Sequence, residues 1–116
     1  MEKKVFLEIP LNRIGLYSLA ENIAARDEGN FKIYEFSYDD EMLLLPLFHQ
    51  FNEVFNICID DYEEDILMVK QLSEAIKITK CFWEKATDSE TKDNALKVLE
   101  ALEFAKKLKM PIEFVF

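Results

Sequence analysis

A chain of 116 residues, half of them hydrophobic and with only two glycines and three prolines, is too apolar for disorder and too short for more than one domain of ordinary size. Its 23 acidic residues against 14 lysines and arginines leave a net charge of −9, which argues against nucleic acid and anionic membrane as partners, because both require a basic patch. The charge is local: residues 31–65 hold ten acids against the single cation Lys32, whereas the segments on either side nearly cancel.

The first residues have the charged start of a signal peptide, but Glu8, Pro10, Asn12 and Arg13 interrupt any apolar stretch. The longest apolar run, residues 42–48, contains Pro46 and is far short of a membrane span, so a cytoplasmic protein is expected. Val5, Leu7 and Ile9 alternate with Lys4, Phe6 and Glu8, predicting a strand that Pro10 ends. Asn12 is a candidate N-cap for a helix with a stripe of Leu16, Leu19, Ala20 and Ile23, and Gly29-Asn30 supplies its stop. Residues 31–38 read as a second strand with apolar residues on both faces, as expected of a central position in a sheet. A helix follows, with Leu44, Leu47, Phe48, Phe51 and Phe55 on one face; Pro46 either kinks it or marks its start.

Ile57-Cys58-Ile59 is a short strand candidate, and a long helix with the stripe Val69, Leu72, Ile76, Thr79 and Trp83 runs to about Lys85. Thr87 and Glu90 have capping-box spacing for the next helix, in which Ala95, Val98, Leu99, Leu102 and Ala105 face inward. Pro111 ends it, and residues 112–116 close the chain as a fourth strand, internal or at an edge. Alternating strands and helices predict an α/β fold: a small single-domain sheet of about four strands, partly parallel, with four packing helices.

The acidic clusters Asp39-Asp40-Glu41 and Asp60, Asp61, Glu63, Glu64, Asp65 each follow a predicted strand. If those strands are parallel neighbours, the clusters meet at the sheet edge where open α/β sheets bind ligands. One or two acids per helix start suit the helix dipole, but eight together repel one another unless a cation arrives. Tyr34, Tyr38 and Tyr62 flank the clusters and offer contact area with a polar tip. A solvated acidic face and ordinary core packing of the tyrosines are the competing readings.

No catalytic constellation is legible. His49 has no partner motif, the serines lie in no G-x-S-x-G setting, and two glycines cannot build a phosphate-cradling loop. Cys58 and Cys81 form no CxxC and read as buried, reduced thiols; no calcium loop accompanies the acids, so neither metal nor cofactor is expected.

In size, acidity and paucity of cysteine, with residues 39–41 and 60–65 carrying the charge, the chain resembles bacterial toxin-immunity proteins as a class. The resemblance implies an inhibitor that neutralises a basic toxin domain, its carboxylates steering association and its tyrosines supplying contact area. The alternative is a scaffold or regulatory subunit that binds through the helices of residues 62–109 without inhibiting anything.

Overall fold

Period-two alternation and 3.6-residue stripes become β1 (Lys4–Pro10), α1 (Arg13–Ala20), β2 (Phe31–Ser37), α2 (Tyr38–Phe55), β3 (Glu64–Leu67), a short 3-10 turn (Val69–Gln71), α3 (Leu72–Lys85), α4 (Ser89–Leu108) and β4 (Ile112–Val115). The computed structural model describes residues 3–20, 29–59 and 64–116. The strands form one sheet in the order β2-β1-β4-β3, and every neighbouring pair is antiparallel.

The partly parallel sheet expected from the alternation is therefore corrected, and the reason lies at the β1–β2 connection. Both of its ends are held together: the Leu11 N–H donates to the Asn30 carbonyl and the Asn12 side chain donates to that of Asn30. Gly15 packs so closely that a Cβ there would stand 2.4 Å from the Asn30 carbonyl oxygen and 3.3 Å from Pro10 Cα. A chain that leaves and re-enters the sheet at the same end must return antiparallel.

The strand expected at residues 57–59 is absent. Asn52 of α2 donates to the Ile59 carbonyl and accepts from the Ile59 N–H, while the Asp65 carboxylate accepts from the Cys58 N–H at 2.6 Å. Side chains satisfy these main-chain groups, so no ladder is required. The strand forms instead at Glu64–Leu67 and pairs with β4, which settles the last strand as internal.

One face of the sheet carries Val5, Leu7, Ile9, Tyr34, Phe36, Leu67, Ile112 and Phe114 into a core closed by the stripes of α2, α3 and α4. Phe48 and Phe51 of α2 meet Phe114 edge-on, with ring centroids 5.7 and 6.1 Å apart. Each large apolar side chain so buried contributes about 1.5 to 3 kcal/mol. On the opposite face of β2 only Phe31 is buried, beside Pro10, while Ile33 is half-buried and Glu35 exposed; β2 is an edge strand and not the central one its pattern suggested.

Helix ends follow local chemistry. Ser37 caps α2 through a reciprocal box with Asp40, and the helix continues through Pro46, whose missing N–H falls on an exposed side. Asp88, not Thr87, caps α4: its carboxylate accepts from the Thr91 N–H and hydroxyl, which holds it below the ordinary aspartate value. Lys109 closes α4 in the left-handed conformation, with Met110 N–H bonding back to Ala105. Among the described residues, no helix is long and apolar enough to cross a membrane.

Candidate functional site

The strands beside the two acidic clusters are not parallel neighbours. By the register, the end of β2 and the start of β3 do lie at the same end of the sheet, but on its two opposite edges, three strand spacings or about 14 Å apart. Asp60, Asp61, Tyr62 and Glu63 lie outside the described residues. Glu64 opens β3, and Asp65 has structural work: besides the Cys58 N–H it accepts from the Ile66 N–H at 2.8 Å.

The first cluster divides by depth. Asp39 is exposed, as is Tyr38, which retains 40% of its accessible surface. Asp40 is half-buried; burial raises its carboxyl, but hydrogen bonds from Asn94 and Ser37 and the nearby Lys97 charge outweigh that and hold it below the ordinary value. Glu41 is buried, 3.8 Å from the Lys3 ammonium. Tyr34 is also buried, and burial together with the Glu100 carboxylate raises its phenol above the ordinary value. Cys58 and Cys81, expected inside, are both exposed and form no disulfide: Cys58 lies outside the ladder and Cys81 on the outer side of α3.

What the structure sets beside Asp39 and Tyr38 is α4. The Asn94 amide donates to Asp40 at 3.0 Å; the Lys97 ammonium donates to the Glu35 carbonyl and stands 4.4 Å from the Phe36 ring centroid; Glu100 acts on Tyr34. Successive contacts on α4 thus meet successively earlier positions on the α2 start and β2, so α4 runs antiparallel along that edge. Its outer face exposes Glu90, Asp93, Leu96, Glu100 and Glu103, and an open groove of about 410 Å³ lies between Asp93 and Glu103. Asp39 extends the acidic flank past the end of the strand, whereas the Glu35 side chain points to the opposite face of the sheet, where it pairs with Lys4 at 3.1 Å. Tyr38, Met42 and Leu96 add exposed apolar area.

These α4 acids were invisible to a reading by segment charge, because residues 66–116 sum to near neutrality. The signal was periodic: Asp93, Glu100 and Glu103 recur at helical spacing on one side, whereas Lys106 and Lys107 cluster in the last turn.

The chain matches no family model, no curated protein and no solved structure. The chemistry of the flank must therefore speak for itself. Among the described residues no group of three His, Cys, Asp or Glu side chains is placed to hold a metal ion. His49 is exposed on α2. What the flank offers is negative potential, a strand edge and a few large side chains, which suit docking of a cationic surface.

Proposed function

We propose that this is a small acidic binding protein that docks a basic protein partner, of the toxin-domain kind, along the β2–α4 flank and blocks the surface that partner uses. The observation that carries this reading is the alignment of α4, whose outer face exposes Asp93, Glu100 and Glu103, with β2 and with the α2 start, where Asp39 is exposed. Carboxylates so arranged accelerate encounter with a cation and fix orientation, while Tyr38, Met42 and Leu96 supply desolvated contact. The exposed thiols suit a reducing compartment, in keeping with action in the cytoplasm.

The scaffold alternative draws less support. The apolar stripes of α3 and α4 are spent on the core, with Leu72, Ala75, Val98 and Leu102 fully buried, and the outer side of α3 is mostly charged. The test uses the protein and a triple variant, Asp93→Asn, Glu100→Gln and Glu103→Gln, as paired baits. A basic protein held by the first, released at least tenfold more readily by the second, weakened by added salt and inhibited in its own activity supports the proposal. Equal retention by both baits, or binding indifferent to salt, overturns it.

A further inference from the structure

We infer that the outer edge of β2 at Ile33 and Glu35 takes up an extended, lysine- or arginine-bearing segment of the partner as a fifth strand, with Lys97 as the latch the guest displaces. The inference rests on the docking reading above and specifies its chemistry.

β2 pairs with β1 over all seven of its residues and has no strand on its other side among the described residues. The Lys97 ammonium donates to the Glu35 carbonyl, so that carbonyl turns away from β1. In an antiparallel ladder the outward set then recurs at every second residue, which turns the main-chain groups of Ile33 outward as well. The Ser37 N–H, of the same set, is taken by Asp40. One ammonium and one carboxylate thus cap the Glu35 carbonyl and the Ser37 N–H, and the main-chain groups of Ile33 and the N–H of Glu35 are left for a guest.

The charges flanking the edge are Asp93 and Glu100 of α4 together with Lys32 and Lys97, whose ammonium groups stand over the Tyr34 and Phe36 rings; the carboxylates are what a guest cation meets. Alternate side chains of a bound strand point toward the α4 side at about 7 Å intervals, and Asp93 and Glu100, seven residues apart on a helix, are about 10.5 Å apart, so cations two or four residues apart in the guest bracket them. A second copy of this chain is a poor occupant, because it brings a second acidic flank against the first. As a guest N–H replaces Lys97 at the Glu35 carbonyl, the released ammonium lies within reach of Asp93 and Glu100, four residues before and three after it on the same helix.

The probe is a synthetic nonapeptide alternating Lys with Val and Thr, with two versions N-methylated at the odd or the even residues, measured by NMR titration of the full chain. Strand addition predicts shifts at the amides of Ile33 and Glu35, loss of at least tenfold in affinity for one N-methylated version only, and a gain of about fivefold for the parent peptide on Lys97→Met, which keeps the stem over Phe36 but removes the donor. Equal binding of both N-methylated versions, with shifts confined to α4, overturns strand addition and leaves acidic docking intact. Failure of the parent peptide to bind, while the triple-variant comparison still releases a basic protein, does the same. Peptide affinity unchanged by the triple variant counts against both.

Discussion

The two edges of the sheet are closed in different ways. At β3 the strand is four residues long, and one carboxylate, Asp65, accepts both an edge N–H of its own strand and the Cys58 N–H of the approaching chain. At β2 the strand is seven residues long, and its protection comes from Lys97, a flexible side chain on a separate helix. Both devices deter stray strand pairing. They differ in what undoing them requires: displacing Asp65 exposes main-chain donors and frees a loop, whereas displacing Lys97 costs one hydrogen bond and a cation–aromatic contact. An edge sealed from within suits a boundary, and an edge covered by a swinging side chain suits a site.

The contrast is broken most severely at Asp65. Asp65→Ala removes charge-assisted acceptors from two N–H groups and is expected to lower stability by about 2 to 3 kcal/mol in urea unfolding, with increased aggregation; a loss below about 0.5 kcal/mol removes the distinction between the edges. Next is Ser37→Ala, which deletes the cap joining the end of β2 to α2 and should cost about 1 kcal/mol, read as a lowered denaturation midpoint. Lys97→Met should cost less than about 1 kcal/mol, yet accelerate hydrogen exchange at the Tyr34 and Phe36 amides, which are bonded into the β1 ladder beside the Lys97 contact; a larger stability loss there makes Lys97 a pillar and not a latch. The smallest effect is acid-dependent. Because Asp40 is held lower in the folded chain than in the unfolded one, its contribution is present in full above the ordinary aspartate value of 3.8 and is lost as pH falls through the lowered folded value. Asp40→Asn should therefore flatten the acid limb of the stability profile.

The helices were legible because their stripes are long. Leu44, Leu47, Phe48 and Phe51, and Ala95, Val98, Leu102 and Ala105, face the core as their spacing requires. Strand neighbours were not legible, since pairing at the β1–β2 connection is decided by Asn12, Gly15 and Asn30 meeting across eighteen residues, a contact no periodicity reports. β2 misled for a related reason: Phe31 and Ile33 gave its far face the apolar look of a central strand, but that face is buried only at Phe31 and opens to solvent at Glu35. The acidic run drew attention to the correct corner at Asp39, but Asp40, Glu41 and Asp65 proved to serve cap, interior and edge. The carboxylates that complete the surface came from a helix whose lysines cancelled them in any running sum.

The position of β4 sets how this chain must fold. It alone connects the β1–β2 pair to β3, and its register against β1 joins Phe6 to Val115, residues more than a hundred positions apart. The central seam therefore cannot form by local zippering; it requires closure of nearly the whole polypeptide, an entropic barrier that should make folding slower than for a helical bundle of equal size. Until that seam closes, the β1–β2 pair and the β3–β4 pair, the latter bridged by the α3–α4 hairpin, are two separate half-sheets.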